Sequence, residues 1–149
     1  MQIEVKVNGN IMKMEVENNE MLLDALRKYG FFSIKKGCDT TSCGLCTIWL
    51  EGKPILSCST LAVKANGKNV TTLEGVQNEA EEFGTFLVNE GAEQCGFCSP
   101  GLIMTVLAMK RELSNPSEED IKHYLAGNLC RCTGYMGQLR AIKKYMGVK

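Results

Sequence analysis

The chain carries no excess of either charge. Lysine plus arginine and aspartate plus glutamate number 17 each in 149 residues, a formal net charge of zero. No basic face is implied, which argues against nucleic acid as the main partner. Long apolar runs are missing, so no segment is expected to insert into a membrane. The opening stretch MQIEVKVNGN alternates like a strand. It has no charged region leading into an apolar core and no twin arginine, so no export signal is read and the expected location is the cytoplasm. Histidine occurs once, as His123 within EEDIKHYLAG, a position read as surface or packing. No phosphate loop, nucleotide fingerprint or general base in a motif is found, and no catalytic residue is assigned.

What the chain does have is cysteine. Eight are present, and in a reducing compartment that number points to metal binding rather than disulfides. Four lie in GCDTTSCGLCTIWLEGKPILSC, where Cys38, Cys43 and Cys46 form a C-x4-C-x2-C loop and Cys58 follows after eleven intervening residues. Thiolates prefer soft metals, and this spacing is the plant-type signature of a [2Fe–2S] cluster. The other four are Cys95-x2-Cys98 and Cys130-x-Cys132, expected to converge from two interhelical loops. Cys98 falls at the start of a helix, where free N–H groups and the helix dipole favour an anion. An oxidised cluster with four thiolates carries a formal charge of roughly −2, and burying it needs backbone N–H donors. Gly37, Gly44, Gly96 and Gly134 let the backbone approach closely enough to supply them. Arg131 either offsets part of that charge or points to solvent. Zinc is the rival ligand, although C-x4-C-x2-C is an unusual zinc spacing and Cys130-x-Cys132 is tight for two ligands of one structural zinc. A thioredoxin-type dithiol would need a free pair, and all eight thiols already group into fours.

Periodicity divides the chain in two. Residues 2–7 and 11–17 alternate at period two around Asn8-Gly9, a hairpin signal. A short amphipathic helix follows from Met21 towards Tyr29-Gly30, then strands at Thr47–Leu50, Pro54–Ser57 and Val70–Leu73, with Trp49 on the first of these as core or interface. Beyond Gly75 the pattern becomes helical: Glu79–Asn89; a helix capped by Ser99 with Pro100 at its first position; one opened by a capping box at Ser117-x-x-Asp120; and Met136–Met146. The expected fold is α+β: a small α+β domain over residues 1–76 followed by an all-α four-helix domain over residues 77–149.

The segments GCDTTSCGLCTIWLEG, ILSCS, QCGFCSPGLIM and GNLCRCTGY together resemble the iron–sulfur subunit of the molybdenum hydroxylase family, which includes xanthine dehydrogenase, aldehyde oxidoreductase and aerobic-type carbon monoxide dehydrogenase. The resemblance covers nearly the whole chain, in the family's order and spacing. It implies a β-grasp, ferredoxin-like first domain and a four-helix second domain, each with one [2Fe–2S] cluster. It further implies that Gln94 and Cys132 lie against a molybdopterin cofactor. That cofactor is expected on a large partner subunit, with FAD on a medium subunit, in a hetero-oligomer. Electrons would pass from molybdenum through the cluster of Cys95, Cys98, Cys130 and Cys132, then that of Cys38, Cys43, Cys46 and Cys58, to flavin. Two positions depart from the family: Ser99 stands where threonine is common, and Met136-Gly137-Gln138 where glutamine often follows the tyrosine. A free-standing ferredoxin shuttle is the alternative. Shuttles are usually strongly acidic for electrostatic docking, and the neutral charge and second cysteine set argue against one. A zinc-stabilised interaction module is the third reading.

Overall fold

The structure, a computed structural model, describes residues 1–148; Lys149, the last residue of the second expected domain, lies outside them. Strands β1 (Gln2–Val7) and β2 (Asn10–Glu15) pair antiparallel, with Gln2 opposite Glu15 and Val7 opposite Asn10. Both turn residues have positive φ, 50° at Asn8 and 87° at Gly9, and the resulting turn twists in the sense the strands require. Alternation in β1 becomes burial: Ile3, Val5 and Val7 face the core while the residues between them face solvent. Helix α1 (Leu22–Lys28) buries Leu22, Leu23, Ala25 and Leu26 in that same core.

After a long irregular stretch come β3 (Thr47–Leu50) and β4 (Lys53–Leu56), again antiparallel. Strand β5 (Asn69–Thr71) then enters the middle of the sheet, giving the order β2-β1-β5-β3-β4. It runs parallel to β1 and antiparallel to β3. A mixed sheet wrapped on one helix is the β-grasp arrangement. The last strand is shorter than the expected Val70–Leu73, because Leu73 already belongs to a 3-10 turn, Leu73–Gly75. Asn8 holds that stretch in place: its side chain donates to Thr72 Oγ1 and accepts from the Thr72 N–H, each at 2.9 Å.

The second half contains α2 (Gln77–Asn89), α3 (Ser99–Glu112), α4 (Glu118–Tyr124) and α5 (Met136–Met146). Helix α3 is its axis. Every residue from Gly101 to Met109 is buried, and a helix apolar all round belongs inside a core rather than on its edge. Tyr145 of α5 meets Phe83 and Phe86 of α2 with ring centroids 5.0 and 5.5 Å apart. The capping box at Ser117 and Asp120 opens α4 in both directions. Ser99, by contrast, is the first helical residue and Cys98 holds the cap position; the Ser99 hydroxyl donates to Glu93 Oε1 at 2.5 Å.

The two halves join through α3 and β3. From within β3 the Trp49 side chain packs into the helical core, its indole N–H donating to the Met104 carbonyl at 2.9 Å. The Arg111 guanidinium covers the ring at 4.0 Å, a cation–π contact. Among the described residues no helix is long and apolar enough to cross a membrane.

Candidate metal centres

The first cysteine set is gathered by the loop before β3 and the turn after β4. Cys43 and Cys46 are buried, while Cys38 and Cys58 are partly exposed. Cys58 sits in the 3-10 turn Ser57–Ser59. That turn is tied back to the loop, because the Ser57 hydroxyl donates to the Cys46 carbonyl at 2.7 Å. The Thr47 hydroxyl closes the Gly44 turn by donating to the Gly44 carbonyl, also at 2.7 Å. Cys38 and Cys43 are close enough to shift one another's titration, and Cys46 acts on Cys58 in the same way.

The second set comes from the turn before α3 and the turn before α5. Tyr135, at φ 71°, opens α5, and its hydroxyl accepts the Cys130 N–H at 3.0 Å. The Thr133 hydroxyl donates to Cys130 Sγ at 3.2 Å. Gly96 reaches φ 75°, which lets the Cys95–Cys98 turn close. Cys132 and Cys95 sulfurs lie 3.5 Å apart, and Cys98 pairs with Cys130.

The thiols therefore come in twos, a pair of pairs at each end. Among the described residues no three or more His, Cys, Asp or Glu side chains group as they would around one ion. Two thiolates on one tetrahedral metal with bonds of about 2.3 Å sit about 3.8 Å apart, close to the observed Cys95–Cys132 separation. Four soft thiolates in two pairs fit a dinuclear cluster, two per iron, at each end.

Electrostatics differ within each set. Cys38 is held down at about 6 by the Cys43 side chain and the backbone N–H groups of Cys43, Ser42 and Thr40. Burial pushes Cys43 up and takes Cys58, with help from Cys46, to about 12. Burial and Cys130 raise Cys98 to about 11, with the Gln138 amide pulling the other way. At Cys130 burial acts upward, but the Thr133 hydroxyl and the N–H groups of Cys132 and Thr133 prevail and hold it at about 7. Cys132 is raised by its bond to Cys95. A metal-free set thus resists full ionisation, and a bound cation inverts that balance.

The two sets face one cleft of about 400 Å³, lined by Cys38, Cys43, Cys95, Cys98, Cys130 and Cys132. The Leu129 N–H donates to the Cys43 carbonyl at 2.8 Å, tying a residue of the first set to the neighbour of Cys130. Glycines make this approach possible. A Cβ on Gly44 would lie 2.2 Å from the Gly127 carbonyl oxygen, and one on Gly101 would lie 2.5 Å from that of Gly44. Gly44 thus serves the contact between the halves, while a Cβ on Gly37 would meet Leu45 Cδ2 at 2.7 Å and Cys43 Sγ at 3.4 Å.

Gln94 is exposed beside Cys95, and Arg131 and His123 are exposed as well. Arg131 lines the cleft between the sets. Sequence reasoning missed Gly101, Thr133, Gln138 and Asn128, whose side-chain amide donates to the Gly44 carbonyl at 3.4 Å. Only Gln138 carried a signal, being polar at a position four residues before Ile142, on the face the helical period assigns to the core.

Comparison with known proteins agrees with this architecture. Residues 5–80 match the family described as 2Fe-2S iron-sulfur cluster binding domain, and residues 72–143 the [2Fe-2S] binding domain family. The chain is 41% identical to the xanthine dehydrogenase iron-sulfur-binding subunit of Escherichia coli O157:H7, over 89% of this chain and 86% of that one. It is 38% identical to the nicotinate dehydrogenase small FeS subunit of Eubacterium barkeri, over 96% of this chain and 92% of that one. It superposes on a chain of quinoline 2-oxidoreductase from Pseudomonas putida 86 with a TM-score of 0.90 at 37% identity, covering 98% of this chain and 92% of that one. A ferredoxin-like domain followed by a helical [2Fe–2S]-binding domain defines an electron-transfer subunit. Within that class, the chain belongs to the small iron–sulfur subunits of the molybdenum hydroxylase family, of the xanthine dehydrogenase and aldehyde oxidoreductase type.

Proposed function

We propose that Cys38, Cys43, Cys46 and Cys58 ligate one [2Fe–2S] cluster and Cys95, Cys98, Cys130 and Cys132 a second, and that the chain relays electrons between two partner subunits. Electrons arrive from a molybdopterin centre on a large subunit, enter at the second set, cross to the first and leave to FAD on a medium subunit. The complex oxidises a purine or other N-heterocycle, an aldehyde or carbon monoxide, with water as the oxygen source. Cytoplasmic location follows from the need for reduced thiols.

The observation that carries the direction is the surface around Cys95 and Cys132. These are the exposed thiols, and the other six are buried or partly so. Around them stand Phe97, Leu129 and Tyr135, exposed by 48, 46 and 44%. Such apolar clustering marks a protein interface rather than open surface. The first set is more buried and lies inside the chain from that face.

When bound, each cluster takes up and releases one electron without a change of ligands. The chain supplies position and shelter. Cys43 and Cys46, buried in the loop, keep water from the inner side of the first set. The Cys43 carbonyl and Leu129 N–H provide a route between the sets through one hydrogen bond. Gln94, exposed next to Cys95, would touch the pterin together with Cys132.

Purification of the complex through a tag on this chain tests the assignment, and two further subunits, one with molybdopterin and one with FAD, are expected. Gln94→Ala is expected to slow electron transfer out of molybdenum more than it lowers iron content. Equal rates in variant and wild type would count against the pterin contact.

A further inference from the structure

Gln138 occupies a core position. It is 6% exposed, on the helix face that also carries Ile142 and Tyr145, and its side-chain nitrogen lies 3.8 Å from Cys98 Sγ. Burying an amide on an apolar helix face is unfavourable unless it finds a partner. A leucine would fill the same volume without that cost. The site around the amide is built rather than incidental. At Gly137 an added Cβ would lie 3.2 Å from Ala92 Cβ and 3.3 Å from Ala92 Cα, so glycine lets the first turn of α5 sit against the segment leading to Cys95. Thr133 adds a second donor at 3.2 Å from Cys130 Sγ. Both side-chain donors thus fall on the inner thiol pair, Cys98 and Cys130, while Cys95 and Cys132 face outward.

We propose that the Gln138 amide is a hydrogen-bond donor to the Cys98 thiolate that raises the midpoint potential of the second cluster, a positioning and tuning role that rests on the two-cluster assignment above. Uptake of one electron adds one negative charge to the cluster and its thiolates and makes or breaks no bond. A fixed N–H donor therefore stabilises the reduced form more than the oxidised one, and hydrogen bonds to sulfur are among the determinants of cluster potential. The donor makes the second cluster a better acceptor for electrons arriving from molybdenum.

The test is a dithionite titration of the cluster-loaded full chain, followed by EPR, in wild type, Gln138→Met and Gln138→Glu. Methionine keeps the bulk without the donor, and glutamate keeps the shape but offers an acceptor. The second midpoint is expected to fall by about tenfold in equilibrium constant, or about 59 mV for one electron, in Gln138→Met. It is expected to fall further in Gln138→Glu, with the first midpoint unmoved in both. Unmoved midpoints in both variants would overturn the proposal. So would loss of the second signal in both while the first and the helical circular dichroism persist, since that assigns Gln138 to cluster retention. A wild type with fewer than two signals would overturn the two-cluster assignment itself, an outcome distinct from two signals with unmoved midpoints.

Discussion

Cys95 and Cys132 are the exposed thiols of the eight, and their sulfurs lie 3.5 Å apart, as the proposed sharing of one iron requires. Cys132→Ser is expected to abolish or alter one EPR signal of the reduced protein and to leave the other. Loss of both without unfolding would contradict two independent sites. A second residue-level prediction concerns Glu74, which accepts from the Ser33 N–H at 3.1 Å, the Ser33 hydroxyl at 2.6 Å and the Thr72 hydroxyl at 2.5 Å. Its half-burial raises the carboxyl pKa, but these donors outweigh that and hold it below the ordinary carboxylate range. A depressed folded-state pKa means that the stabilisation is present above the unfolded value, about 4.3, and lost as pH falls through the folded one. Glu74→Gln should therefore melt at a lower temperature than wild type at pH 7, with the difference narrowing below about pH 4. A constant difference across that range would rule out the charged form as the stabilising species. The eight cysteines were legible in sequence because their spacings are local within each loop. The role of Gln138 was not, because the sulfur it meets lies forty residues away and is brought near by tertiary packing; that of Thr133 was not either, because its contact with Cys130, three residues back, depends on the geometry of the turn.

At the scale of elements, α3 is the member that binds the halves. Its first turn presses Gly101 against the Gly44 carbonyl, and its middle offers the Met104 carbonyl to Trp49. Gly101→Ala places a methyl where a backbone atom already stands, and overpacking of this kind costs about 1–3 kcal/mol. A lowered unfolding midpoint in denaturant checks this; a wild-type midpoint would show that the halves shift apart freely. Trp49→Phe removes the indole donor and leaves the Met104 carbonyl without this partner, at an expected cost of about 1–3 kcal/mol. The strands and helices were largely readable from period and turn residues, as with Asn8-Gly9 and the Ser117 capping box. The start of α3 was not, since Ser99 satisfies the cap preference by type but donates to Glu93 instead. Nor was the central place of β5, whose parallel pairing with β1 leaves no mark in a three-residue strand.

Across the whole molecule, two cores hold two sets of thiols against a common cleft, the net charge is zero, and exposed apolar side chains stand beside Cys95 and Cys132. That organisation suits a permanent subunit passing electrons across itself more than a diffusing shuttle. Iron and acid-labile sulfide measured on anaerobically purified protein test most directly whether these eight thiolates hold two [2Fe–2S] clusters. Brown protein with about four iron and four sulfide per chain is the predicted result, and colourless, zinc-loaded protein would contradict it.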